Sequence, residues 1–371
     1  MPASVLAPST QVLLDASSLD ALLSVLERQG YSLLGPRACG TAITYGPIKS
    51  ANDLPRGWGA TQRPGSYRLR RREDEAAFAY GPAFESLKRY LLPPSEVLLR
   101  ARREKGGLTF RPVEPDAPKL AVVGVRPCEL QAIARLDTVL LQGPYADPGY
   151  RARRAAMFLV AVNCTEPGET CFCASMQTGP RAVPPFDIAM TEIPGGRLVA
   201  EAGSEPGAAA LASLRCAAAP PDASAIADAA LEQAAARMGR EVLIDGLARD
   251  LAPALEHAAW DDVAKRCLAC GNCTMVCPTC FCHTIEDRTD LTGEQMERRR
   301  RWDTCFTAEF SYIHGGSIRA SARARYRQWL THKFCYWVEQ FRSYGCVGCG
   351  RCITWCPVGI DVTEEIRRLR G

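Results

Sequence analysis

The stretch CVGCGRCITWCPVGID, from residue 346 to residue 361, decides the fold of the last third of this chain. An earlier stretch, CLACGNCTMVCP from residue 267 to residue 278, repeats its cysteine spacing. Each copy contains C-x2-C-x2-C-x3-C followed by a proline. Two copies of one dense cysteine pattern predict a pair of related metal-binding loops within a single domain.

This spacing is the one by which bacterial ferredoxins hold 4Fe–4S clusters. Thiolates are soft ligands that suit such clusters, and two-residue gaps let one short loop present three sulfurs. The fourth cysteine of each run is expected to complete the other cluster. The predicted ligand sets are Cys267, Cys270, Cys273 and Cys356 for the first cluster, and Cys346, Cys349, Cys352 and Cys277 for the second.

Zinc is the alternative occupant of these loops. Isolated C-x2-C pairs are more often zinc ligands, and a zinc-stabilised scaffold with no redox role would use the same thiolates. A threefold run that ends in Cys-Pro and occurs twice favours iron–sulfur clusters over zinc.

Four further cysteines follow two predicted strands of a buried, parallel sheet. The apolar runs Lys119–Val125 and Met157–Val162 predict these strands, with a helical segment between them. Ligands of open α/β sheets gather beyond the carboxyl ends of the strands. The four thiols therefore form a candidate site for a third 4Fe–4S cluster, although their spacing alone is not diagnostic. They are Cys128 after the first run, and Cys164, Cys171 and Cys173 after the second.

Three more cysteines have no assigned role. Cys280 and Cys282 repeat the Thr-Cys-Phe-Cys pattern of residues 170–173, and Cys305 lies in the segment WDTC. The sequence leaves open whether they support a cluster, protect one or pack in the interior. The single cysteines Cys39, Cys216 and Cys335 are expected to pack as small apolar side chains.

The chain divides into three predicted regions. Residues 1–200 are expected to form an α/β or α+β domain with the candidate third site, and residues 201–264 an Ala-rich helical bridge. Residues 265–371 are expected to form a ferredoxin-like, mainly helical domain that holds two 4Fe–4S clusters, with a basic insertion at residues 284–340. From Met296 to Lys333, nine basic residues stand against three acidic ones. This excess indicates either a surface that steers an acidic partner or an ordinary solvated helix face.

Composition and charge exclude several classes of protein. The net charge of +4, from 45 basic and 41 acidic residues, is too small to indicate nucleic-acid binding. No apolar stretch is long enough for a membrane span, and no basic leader precedes an apolar run, so we expect no signal peptide and a cytoplasmic location. In that reducing compartment, 18 cysteines predict metal binding rather than disulfides.

Motifs for bond-breaking or hydride chemistry are missing from the sequence. No G-x-G-x-x-G follows a predicted strand, and there is no P-loop, H-E-x-x-H or nucleophile elbow. We therefore expect a chain without an active site of its own, whose substrates meet other subunits.

The chain resembles the beta subunit of cytoplasmic NAD(P)-linked nickel–iron hydrogenases, also called sulfhydrogenases. It is similar, too, to the A subunit of anaerobic sulfite reductase, which belongs to the same family. The resemblance extends over nearly the whole chain. The segments that carry it are DLPRGW (53–58), GVRPCEL (124–130), NCTEPGETCFC (163–173), CGNCTMVCPTCFC (270–282), WDTC (302–305), HKF (332–334) and YGCVGCGRCITWCPVGID (344–361).

The resemblance implies an electron-transfer subunit that does not itself catalyse a reaction. Electrons would pass through its 4Fe–4S clusters between a flavin-containing, NAD(P)-binding reductase subunit and the small and large subunits of a hydrogenase. The alternative is the corresponding role beside the catalytic subunit of a sulfite reductase. The sequence barely separates these two roles, because the chemistry that distinguishes them belongs to the partners.

Overall fold

The computed structural model describes residues 11–371. Residues 1–10, on which the expectation of no signal peptide partly rests, lie outside the described residues. The strands are β1 (Val12–Leu14), β2 (Ser32–Cys39), β3 (Ala42–Pro47), β4 (Trp58–Arg63), β5 (Ser66–Arg71), β6 (Ser95–Glu104), β7 (Gly107–Pro112), β8 (Leu120–Val125), β9 (Met157–Val162), β10 (Ile188–Ile193), β11 (Arg197–Ala202), β12 (His283–Thr289), β13 (Gln295–Trp302), β14 (Tyr312–Ile313) and β15 (Gly316–Ser317).

The helices complete the description. They are α1 (Ala16–Arg28), α2 (Lys88–Leu91), α3 (Pro127–Leu140), α4 (Pro148–Ala155), α5 (Glu205–Ser213), α6 (Pro221–Ala236), α7 (Leu247–Leu251), α8 (Ala259–Arg266), α9 (Asn272–Met275), α10 (Ala322–Thr331), α11 (Trp337–Phe341), α12 (Arg351–Thr354) and α13 (Val362–Arg370). Short 3-10 segments cover Ala51–Asp53 and Ala254–Glu256, and a π-helical turn covers His332–Tyr336.

A seven-stranded mixed sheet forms the centre of the N-terminal region, in the order β1-β11-β10-β9-β8-β2-β3. This confirms the predicted α/β region. The two apolar runs are β8 and β9, which pair in parallel with Val122 opposite Leu159. Every residue of β9 is buried, as expected of a strand that is covered on both faces. Because β8 and β9 are parallel, the segments that follow them start from the same edge of the sheet.

A second sheet, in the order β12-β13-β6-β7, joins two hairpins that are far apart in the sequence. Its strands β12 and β13 belong to the basic insertion, so the prediction of a mainly helical C-terminal region is not confirmed. Ion pairs cross between these strands, since Arg298 lies 2.7 Å from Asp287 of β12 and Glu297 lies 3.1 Å from Arg100 of β6. Such cross-strand pairs add to the stability of a sheet. The pair of Arg100 with Glu297 joins residues 197 positions apart, which is too distant to show in the local sequence pattern.

Many arginines of the basic insertion are neutralised within the chain. Arg300 of β13 is buried and forms ion pairs with Glu96 and Asp147. On α10, Arg323 and Arg327 both contact Glu256. The excess of positive charge is therefore shared between a strand and a helix that carry carboxylate partners.

Candidate metal centre

The first cysteine run surrounds a cavity together with cysteines of the second run. Its lining includes the predicted set Cys267, Cys270, Cys273 and Cys356, and also Cys352. The loop turns at Gly271, which has a φ of +74° and is the N-terminal cap of α9. The backbone N–H of Ala269 donates to Cys267 Sγ at 3.4 Å. Burial and the neighbouring thiols raise the pKa of Cys273 well above its usual value. Thiols from both runs thus face one space.

The second run repeats this geometry around another cavity. Cys277, Cys346, Cys349 and Cys352 line this second space, and Cys352 also borders the first. Gly348 N–H donates to Cys346 Sγ at 3.4 Å, which matches the bond to Cys267 in the first loop. Gly350, with a φ of +72°, starts α12 as Gly271 starts α9. N–H donors aimed at sulfur favour the thiolate that iron requires.

The last cysteine of each run lies in the cavity of the other run. Cys277 faces the three thiols of residues 346–352, and Cys356 faces those of residues 267–273. Pro278 and Pro357 follow these crossing residues directly. The structure therefore brings together the two sets of four that the spacing predicts, with the exchange of the fourth member.

The four cysteines of the candidate third site also meet. Cys128 and Cys173 pack together with Cys349 of the second cavity. Burial raises the pKa of Cys173 well above its usual value, and Cys128, Cys171 and Cys164 are near enough to raise it further. All four are buried. The third set therefore adjoins the second cavity rather than lying apart from it.

Close backbone packing joins the third set to the second loop. The N–H of Phe172 donates to the carbonyl of Gly348 at 2.8 Å. A Cβ on Gly350 would lie 2.4 Å from the carbonyl oxygen of Thr170, and one on Gly348 would lie 2.7 Å from the Cα of Cys173. The glycines of the second run are therefore required by the neighbouring TCFC segment as well as by the turn.

Cys280, Cys282 and Cys305 lie close to one another. The thiols of Cys277 and Cys282 are near enough to Cys280 to raise its pKa, and Cys305 is near enough to Cys282 to lower its pKa. The structure thus places these three thiols next to the crossing residue Cys277. The single cysteines behave differently, because Cys335 is buried as expected of a packing residue whereas Cys39 is exposed.

Three buried cations lie beside these thiols, and sequence analysis did not identify them. Lys333 donates to Thr279 Oγ1 at 2.8 Å, and Lys88 donates to the carbonyl groups of Thr274 and Met275. Burial opposes the charge of Lys333, but the thiols of Cys277 and Cys280 raise its pKa above its usual value.

Arg126, the third cation, is 2% exposed and donates to the carbonyl groups of Tyr80 and Asn163. It immediately precedes the Pro-Cys of residues 127–128, and Cys164 and Cys128 are among the groups that raise its pKa against the effect of burial. No carboxylate pairs with Lys88, Lys333 or Arg126 in the part of the chain that the structure describes. Because a buried charge is costly unless it is compensated, each position favours an anionic neighbour.

A buried ion pair joins the second cysteine loop to the N-terminal sheet. Arg351 Nη1 lies 2.6 Å from Glu129 Oε1, and both side chains are at most 2% exposed. Arg351 Nε also donates to the carbonyl of Ala83, while Glu129 accepts from Ser86 Oγ and Leu87 N–H, each at 3.0 Å. Helix α3, the segment before α2 and the second loop are thus held by one polar network.

Among residues 11–371, no group of three or more His, Cys, Asp or Glu side chains has the geometry to hold a metal ion. The two ferredoxin-type cysteine sets border cavities. No helix within the same residues combines the length and apolar character needed to cross a bilayer.

Comparisons with known proteins agree with this geometry. Residues 266–360, which include all eight cysteines of the two runs, match the family of 4Fe–4S dicluster domains. Sulfhydrogenase 2 subunit beta of Pyrococcus furiosus is 33% identical over 301 residues, which cover 75% of this chain and 84% of that protein. No solved structure matches the chain.

Proposed function

The chain belongs to the family of sulfhydrogenase beta subunits, and we propose that it relays electrons between a flavin-containing, NAD(P)-binding reductase subunit and the small and large subunits of a nickel–iron hydrogenase. The family and the 4Fe–4S dicluster domain support an electron-transfer role. The observation that carries the proposal is the pair of cavities, each bordered by three cysteines of one run and by the last cysteine of the other, with Cys352 bordering both.

The proposed ligands of the first cluster are Cys267, Cys270, Cys273 and Cys356, and those of the second are Cys346, Cys349, Cys352 and Cys277. The two clusters differ in their access to solvent. Cys270 is exposed, and its apolar neighbours Leu268 and Val358 are 64% and 40% exposed. Cys349 in the second cavity is buried. We infer that the first cluster exchanges electrons with a partner docked over Leu268 and Val358, whereas the second carries electrons through the interior.

We propose a third 4Fe–4S cluster on Cys128, Cys164, Cys171 and Cys173. Arg126 supports this proposal, because its buried charge faces Cys128 and Cys164 without a carboxylate partner among the described residues. A cluster ligated by thiolates carries negative charge, which would compensate that of Arg126. Since Cys128 and Cys173 pack against Cys349, the three clusters would form a continuous path for electrons.

Iron content tests the third cluster. We expect about twelve iron atoms per chain in anaerobically prepared protein, and about eight in Cys171→Ser, because a 4Fe–4S cluster that loses a buried ligand is not retained. Cys216→Ser removes a thiol that lies outside the three sets and is expected to keep all twelve. About eight iron atoms in the unaltered protein, unchanged by Cys171→Ser, would contradict a cluster at this site.

The identity of the partners is tested by the composition of the complex. We expect the chain, purified without oxygen from its own cell, to bring with it nickel and flavin. Its clusters should show an EPR signal on reduction with hydrogen, because electrons from the catalytic subunit reach them. Sirohaem in place of nickel would assign the chain to a sulfite reductase instead, and colourless protein loaded with zinc would contradict electron transfer altogether.

A further inference from the structure

The two cysteine-lined cavities differ in charge. Among the described residues that line the second cavity, Lys333 is the one basic or acidic side chain, and it shares this lining with the four thiols of the second set. The described residues around the first cavity are cysteines, glycine and apolar or aromatic residues, and none of them is basic or acidic. The two loops otherwise repeat one another in their cysteine spacing and their glycine turns. A buried cation therefore distinguishes the second site from the first.

A hydroxyl group holds Lys333 close to the crossing residue. Lys333 Nζ donates to Thr279 Oγ1 at 2.8 Å, and the same oxygen lies 3.3 Å from Cys277 Sγ. The Thr279 hydroxyl donates in turn to the carbonyl of Gly345 at 2.7 Å. Lys333 is 4% exposed and Thr279 is 1% exposed. A single oxygen atom thus links the ammonium group to the sulfur that the first run contributes to the second cavity.

The backbone fixes Lys333 as well. Lys333 lies in the π-helical turn His332–Tyr336, between α10 and α11, and π-helical turns occur frequently at functional sites. Its carbonyl accepts from the N–H of Gly345 at 2.8 Å, and Gly345 directly precedes Cys346. The position of the ammonium group is therefore set from the main chain and from the side chain.

The first run lacks the residue that would hold such a cation. Thr279 follows Cys277 and Pro278, whereas Val358 follows Cys356 and Pro357 at the equivalent position. A valine side chain has no oxygen to accept a hydrogen bond from an ammonium group. The difference in charge between the two cavities is thus written into the repeated motif itself.

A fixed positive charge beside a cluster favours its reduction. Reduction adds an electron, and hence a negative charge, to a 4Fe–4S cluster, and net charge and solvent exposure are among the factors that set its potential. Burial opposes the added charge, and Cys349 of the second set is buried whereas Cys270 of the first is exposed. The attraction of a buried ammonium group is little screened by water or salt. Lys333 therefore offsets the effect of burial on the second cluster.

We propose that Lys333 raises the reduction potential of the second cluster and so keeps this interior cluster accessible to electrons. The inference rests on the proposed function, because it concerns a cluster that the second cavity is proposed to hold. Lys333 acts as a fixed charge and does not bind iron. Without that charge the second cluster would be harder to reduce, and it would hold back electrons between the first cluster and the candidate third site.

Removal of the charge tests this inference in the full-length chain, prepared without oxygen. Lys333→Met removes the ammonium group and keeps an unbranched side chain, whereas Lys333→Gln keeps an N–H donor without the charge. Redox titrations followed by EPR measure the potential of each cluster, and the signal of the second cluster is the one that Cys277→Ala lacks. We expect both neutral variants to keep their iron, to shift this signal to lower potential, and to shift that of the first cluster less.

Two further variants separate charge from packing. Lys333→Arg retains a positive charge and is expected to stay closer to the unaltered potential than either neutral variant, which a role in packing alone would not produce. Lys265→Met is the matched control, because Lys265 lies two residues before Cys267 but its side chain is 77% exposed. Water and salt screen a charge at such a position, so this variant should leave both potentials and the iron content unchanged.

Two results would overturn the inference. One is an unchanged potential of the second cluster in a neutral variant that retains it. The other is a loss of about four iron atoms in both neutral variants, because Lys333 would then be needed to retain the cluster rather than to set its potential. Unaltered protein without a reducible cluster would refute the proposed function, and this inference with it. Two reducible clusters whose potentials do not depend on Lys333 would refute the inference alone.

Discussion

Replacing Cys277 by Ala is expected to remove the second cluster and to leave the first in place. Cys277 lies only four residues after Cys273, yet it borders the cavity of Cys346, Cys349 and Cys352. Loss of one thiolate from a four-cysteine site should release about four iron atoms per chain. Iron and sulfide analysis of anaerobically prepared protein measures the loss.

Double variants show which cluster is lost. If Cys277 serves the second cluster, Cys277→Ala combined with Cys346→Ala should lose no more iron than either change alone, because both remove the same cluster. Cys277→Ala combined with Cys267→Ala should lose about eight iron atoms, since two clusters disappear. The opposite pattern would mean that each run holds its own cluster and that the fourth ligands are not exchanged. Cys280→Ala, which alters a neighbouring thiol, is the matched control and should retain the iron.

Replacing Glu129 by Ala is expected to lower the free energy of unfolding by about 3–5 kcal/mol, because it leaves the buried Arg351 without its partner. The two side chains are at most 2% exposed, so water cannot take the place of the lost carboxylate. Anaerobic urea unfolding, followed by tryptophan fluorescence, measures the change.

Two controls give this prediction its specificity. Glu297→Ala breaks an ion pair with Arg100, whose side chain is 62% exposed, and should cost about 1 kcal/mol or less. The double variant Glu129→Ala with Arg351→Met should be more stable than Glu129→Ala alone, because no unpaired charge is then buried. Equal losses for Glu129→Ala and Glu297→Ala would contradict the structural role assigned to the buried pair.

The sequence predicts those features that depend on local spacing. The apolar runs of β8 and β9 identify the parallel strands, because a strand buried on both faces is apolar at every position. The exchange of Cys277 and Cys356 also follows from spacing, since a run with two-residue gaps presents only three sulfurs to one cluster. Cys128 and Cys164 meet because they follow neighbouring strands of one sheet.

Features that depend on distant partners could not be predicted in this way. In the arginine-rich strand β13, the buried Arg300 pairs with Glu96, which lies 204 positions away in the sequence. Lys88 lies beside the thiols because its Nζ donates to the carbonyl of Thr274, which is 186 positions away in the sequence. Nothing in the local sequence around Lys88 indicates this contact. Arg126 and Lys333 did carry a signal, because they lie in GVRPCEL and HKF, two of the segments that carry the resemblance to the family.

The sheet formed by β12, β13, β6 and β7 means that the ferredoxin-like region cannot be cut out as a portable module. A fragment that starts at the first cysteine run would lack β6, so one edge of β13 would be unpaired. Arg351 would also lose its ion-pair partner Glu129 of α3. A gene fusion that transfers only this region to another redox protein would lack the N-terminal strands and the α3 carboxylate with which it packs. The unit that can be moved between proteins is the whole chain, and its two halves can be expected to change together over evolutionary time.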